Sequence, residues 1–72
     1  MFYVGQRVIV DCRDADYMQA RALENGMVGE VLGISPNKCC PVRVKVESRQ
    51  GPAECLFDFD ELKPAPNTAK II

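Results

Sequence analysis

Hydrophobic and polar residues alternate without a break from Val42 to Glu47. Val42, Val44 and Val46 fall on one side and Arg43, Lys45 and Glu47 on the other, the two-residue period of a half-buried β-strand. A second alternation runs from Arg7 to Cys12. It sets Val8, Val10 and Cys12 against Arg7, Ile9 and Asp11, with Gly5 permitting a tight entry and Tyr3 or Val4 covering one end. Met27–Ile34 reads as a strand interrupted by Gly29 and Gly33, both expected to mark bulges or bends. Val28, Val31 and Ile34 form its expected inward set. Ala53–Asp58 reads as a returning strand with Cys55 and Phe57 inward, reached through the hairpin Ser48-Arg49-Gln50-Gly51-Pro52. Short strands with this glycine punctuation predict a small, strongly bent β-barrel.

The pattern changes between Asp14 and Asn25, where good helix formers gather without Gly or Pro. One to two helical turns are predicted, capped by Asp14 and stopped at Asn25-Gly26. Met18 and Ala22 share a face, with Leu23 beside it. A helix this short needs tertiary support, so Met18 or Leu23 must pack on the sheet. Ser35–Pro41 is a loop by its prolines and polar residues. Phe59–Leu62 suits one tight helical turn before a last strand, Leu62–Pro64. Residues 65–72 lack periodicity and are expected to form a flexible tail, so the domain is placed at 1–64. Ile71 and Ile72 are apolar for a free end.

Length and composition then narrow the classes. A chain of 72 residues makes one domain and buries only about 60% of its unfolded surface. The net charge of −1 provides no global attraction to polyanions or anionic lipid. No apolar run approaches a membrane span, and the N-terminus lacks a secretory pattern. The expected setting is cytoplasmic, with no membrane partner. Cys12, Cys39, Cys40 and Cys55 are spaced 27, 1 and 15 residues apart, without a histidine, which does not fit a local zinc motif. No metal or other cofactor is expected. Cys12 and Cys55 read as small buried hydrophobes, and at least one of the adjacent Cys39 and Cys40 as exposed.

Three segments together resemble the SH3-like small barrels. Gly5-Gln6-Arg7-Val8-Ile9-Val10 matches the first strand, Gly26-Met27-Val28-Gly29-Glu30-Val31 the second, and Phe59-Asp60-Glu61-Leu62-Lys63 the late turn. The likeness covers residues 4 to 64. It is similar to the KOW-type barrels of ribosomal and transcription factors, to the variable subunit of ferredoxin–thioredoxin reductase, and to small proteins of phages and mobile gene cassettes. It implies an all-β, five-stranded barrel with a short helical segment in the first long loop and one tight turn before the last strand. This fold serves many unrelated functions.

Three functions are weighed. The first is a non-enzymatic protein-binding module, an adaptor or inhibitor of a host protein carried by a phage or mobile element. Its anchors would be Tyr17 and Met18 in the first loop and Phe59 at the late turn. The alternative is a KOW-like nucleic-acid-binding barrel using Arg7, Lys38, Arg43 and Lys45 on phosphates, although Glu47 and the run Asp58-Phe59-Asp60-Glu61 oppose a polyanion. An enzyme is disfavoured: no histidine, phosphate loop or nucleophile motif is present. Type II dihydrofolate reductases are SH3-like barrels of similar size, but the Val-Gln-Ile-Tyr segment they use is missing here. Either a monomer or a homodimer fits the sequence, because a small barrel with open edges can pair strand to strand.

Overall fold

The computed structural model describes residues 2–65. It contains β1 (Arg7–Val10), α1 (Ala15–Ala20), β2 (Val28–Ile34), β3 (Val42–Ser48), β4 (Gly51–Phe57), a 3-10 turn (Phe59–Glu61) and β5 (Leu62–Pro64). All neighbours pair antiparallel in one five-stranded sheet of order β4-β3-β2-β1-β5. The sheet is open, with β4 and β5 as its outer strands.

The valine alternation determines which face is buried. Val8, Val31, Val42, Val44, Val46 and Phe57 are fully buried, and Val10, Cys12, Cys55 and Leu62 join them. A fully buried Val or Phe side chain contributes roughly 1.5–3 kcal/mol, so this single layer carries most of the apolar stabilisation. Met18 and Leu23 pack into the same cluster from the first loop, as the helix required.

Within β2 the expectation for Val28 fails. Val28 is 43% exposed. Gly29 takes the inward position, opposite both Val8 and Val46. Gly29 is no bend: it lies in register, where an added Cβ would come 2.5 Å from Val44 Cγ1 and 2.8 Å from the Lys45 carbonyl oxygen. The bulge falls between Val31 and Gly33, and the change of phase there returns Ile34 to the core side.

Helix α1 begins on Asp14, whose side chain accepts from the Tyr17 N–H. It ends at Ala20, short of the expected stop at Asn25-Gly26. Ala22 takes a left-handed φ of 57°, the Leu23 N–H donates to the Met18 carbonyl at 2.9 Å, and the Ala22 N–H donates to that of Gln19 at 3.1 Å. This Schellman arrangement closes the helix early and turns Leu23 into the core. The 3-10 turn carries a reciprocal capping box between Asp58 and Glu61. β5 ends at Pro64, as expected for the last strand, and the Ala65 N–H adds one backbone bond to the Arg7 carbonyl at 2.9 Å. The rest of the expected tail, including Ile71 and Ile72, lies outside the described residues. Among the described residues no helix is long and apolar enough to cross a membrane.

Candidate functional site

The first loop is tied down along its length. The Asn25 side chain accepts from the Cys12 N–H at 2.8 Å and donates to the Cys12 carbonyl at 3.0 Å. The Arg49 N–H donates to the Ala22 carbonyl at 3.1 Å, and the Arg49 guanidinium meets Glu24 at 2.7 Å, joining the β3–β4 hairpin tip to the loop. Tyr17 completes the attachment. Its hydroxyl donates to the Leu56 carbonyl and accepts from the Leu56 N–H at 3.1 Å. The ring meets Phe57 edge-on at 5.9 Å, with the Arg21 guanidinium 3.8 Å from its centroid. Burial raises the Tyr17 pKa, while the Leu56 N–H and Arg21 pull the other way.

The three candidate partner anchors therefore occupy different settings. Met18 is buried in the core and offers no contact surface. Tyr17 is half-buried, with its hydroxyl spent on Leu56. Phe59 is 42% exposed and stacks on Phe2, ring centroids 6.1 Å apart and planes 7° from parallel. The capping box beneath fixes the turn that presents it: Asp58 accepts from the Phe59 N–H at 2.8 Å, and Glu61 accepts from the Asp58 N–H at 2.8 Å. Phe2 is a member of this aromatic pair that sequence reasoning missed. Nothing near Phe2 in the chain signals a contact to residue 59.

The four basic candidates do not make a positive stripe. Across the outer face of the sheet the register runs Arg7–Glu30–Lys45–Glu54, alternating in sign at every step. Arg43 lies 3.8 Å from Glu54, with both side chains mostly exposed, and Glu47 follows Lys45 on the same face. Lys38 stands off the ladder in the 35–41 loop, its N–H donating to the Ser35 carbonyl at 3.0 Å.

Cys12 and Cys55 are buried, Cys39 is exposed and Cys40 half-buried. The Cys12 thiol donates to Glu61 Oε2 at 3.4 Å. Burial pushes the Cys12 thiol pKa up, and Glu61 adds to the effect. Burial raises that of Cys55, and burial together with the adjacent Cys39 side chain raises that of Cys40. Among the described residues no three His, Cys, Asp or Glu side chains converge as metal ligands.

The fold and its surface thus define an open, all-antiparallel five-stranded sheet with a strapped first loop and an exposed Phe59 stacked on half-buried Phe2. Comparison with protein families, curated proteins and solved structures returns no match.

Proposed function

We propose that this chain is a non-enzymatic protein-binding module, an adaptor or inhibitor built on an SH3-like barrel and working in the cytoplasm. The observation that carries the reading is Phe59, 42% exposed and stacked on the half-buried Phe2, on a turn fixed by its capping box. Rigid aromatic surface anchors protein contacts at low entropic cost. The meander order and the late 3-10 turn support the SH3-like reading.

The test is affinity capture from a nuclease-treated bacterial lysate with the parent protein and with Phe59→Ser. One protein held stoichiometrically by the parent and released by the variant is the expected result. Equal capture by a folded Phe59→Ser protein overturns the assignment. Changing Tyr17 and Met18 together is a poor test, because Met18 lies in the core and its loss lowers stability.

A further inference from the structure

The outer edge of β4 is closed one residue at a time. β3 and β4 are joined through Arg49 and Gln50 with Ser48 opposite Gly51. In such a hairpin the residues Gly51, Ala53, Cys55 and Phe57 exchange backbone bonds with β3, and the alternate residues point their N–H and C=O groups outward. Those outward residues are Pro52, Glu54 and Leu56, followed by Asp58. Pro52 has no N–H to offer. The Leu56 N–H and C=O are both taken by the Tyr17 hydroxyl. The Asp58 N–H is taken by Glu61. Among the described residues Glu54 keeps both its outward N–H and C=O without a partner, and the Pro52 carbonyl is open as well.

Two antiparallel registers to β4 of a second copy use both the N–H and the C=O of Glu54; a third, opposite Pro52, uses only the Glu54 N–H because proline has none to return. One places Glu54 opposite Glu54. Its central pair needs no Leu56 group, although its flanking Pro52–Leu56 pairs do, and it sets like charges face to face, which disfavours pairing. The other centres on Cys55 and places Glu54 opposite Leu56 of the second copy. It avoids the charge clash, and each hydrogen bond of its Glu54–Leu56 pairs uses the Leu56 N–H or C=O. The latched molecule is left with the repelled register or with the Pro52 register, which makes fewer bonds; the favourable one requires Leu56 to be free.

We infer that Tyr17 is a latch: its hydroxyl keeps two copies of this chain from joining edge to edge, and its release opens a two-fold β4–β4 pairing in the Glu54–Leu56 register. The ring also meets Phe57 edge-on and lies beneath the Arg21 guanidinium, and it must swing clear for a second strand to reach Leu56; removing the one oxygen removes the bonds that tie it to that edge. This inference concerns a different surface from the Phe2–Phe59 stack and does not depend on the proposed function.

The experiment measures molar mass by light scattering and backbone amide exchange for the parent and for Tyr17→Phe, each dilute and at millimolar concentration. The parent is expected to stay at 8.0 kDa, with a slow Leu56 amide and a fast Glu54 amide. Tyr17→Phe is expected to rise toward twice that mass on concentration, with the Leu56 and Glu54 amides becoming protected together. A folded Tyr17→Phe protein that stays monomeric at millimolar concentration overturns the inference. So does a dimer in which both amides still exchange freely. Tyr17→Leu removes the phenolic oxygen without adding a donor and serves where Tyr17→Phe does not fold. A parent Leu56 amide exchanging as fast as that of Glu54 overturns the latch by itself.

Discussion

Gly29 and Ala22 are residues whose roles run opposite to their usual reading. Glycine in a strand interior weakens it and suggests a bulge. Here Gly29 is in register, and its missing side chain lets Val44 and the Lys45 carbonyl approach. Gly29→Ala puts a methyl where no Cβ fits, against backbone on one side. Overpacking of this kind costs about 1–3 kcal/mol, and a shift of the urea midpoint with an unchanged slope checks it. Ala22 is a strong helix former by propensity, yet it sits in the left-handed region at the end of α1. Its buried methyl and the Schellman bonds offset the strain. The buried thiols lead to a second prediction at this scale. Cys12 and Cys55 have folded-state pKa values raised above the ordinary 9.0 by burial, and that of Tyr17 is raised above 10.0. The folded state thus holds these protons more tightly than the unfolded chain. Their contribution is complete below pH 9.0, and it is lost as pH rises through the raised values. Urea midpoints should be flat from neutrality to pH 9.0 and fall beyond it. A midpoint that climbs above pH 9.0 contradicts the assignment.

At the scale of elements, legibility follows the range of the interactions that decide each one. β3 was readable because alternation is local and both its neighbours are present, so every second valine is buried. The late turn was readable because Asp58 and Glu61 satisfy each other across three residues. The first loop was readable only in outline. A short helix capped by Asp14 was legible, and so was the packing of Met18 and Leu23, because an apolar face that small has nowhere else to go. Its attachments were not. Tyr17 meets a residue 39 positions away, and Asn25 serves Cys12 rather than ending a helix. The aromatic pair was half legible, because Phe59 stood out in the sequence while its half-buried partner Phe2 came from the far end of the chain. Asn25 gives the matching prediction. Asn25→Ala leaves the Cys12 N–H and C=O without their partner in a partly buried site. A loss of about 1 kcal/mol is expected, with faster amide exchange at Cys12 and no change in the β3–β4 hairpin. Exchange that speeds up evenly across the sheet would show that the loop is not a separate unit.

Over the described residues, charge is arranged to cancel across the outer face of the sheet. The outer sheet face alternates Arg7, Glu30, Lys45 and Glu54 across four strands, so a phosphate approaching either cation meets a carboxylate beside it. Cross-strand opposite pairs each stabilise by a few tenths of a kcal/mol, and exposed ion pairs such as Arg43–Glu54 contribute little more. The ladder therefore matters more for what it repels than for stability. A KOW-like use of this face needs several cations acting on one backbone, since affinity grows with the number of phosphates neutralised. The parent protein should accordingly show no retention on single- or double-stranded DNA at about 0.15 M salt, where exposed charges are screened beyond roughly 8 Å. Replacing the two carboxylates, Glu30→Lys with Glu54→Lys, turns the same register into an unbroken positive row without touching the core. That variant should bind DNA at low salt and lose it steeply as salt rises. Salt-sensitive binding by the parent protein would instead place the cationic site elsewhere, with Lys38 and the 35–41 loop as the first segment to change. Absence of binding by the doubly substituted protein would mean that curvature of the face, rather than its charge, keeps a duplex away.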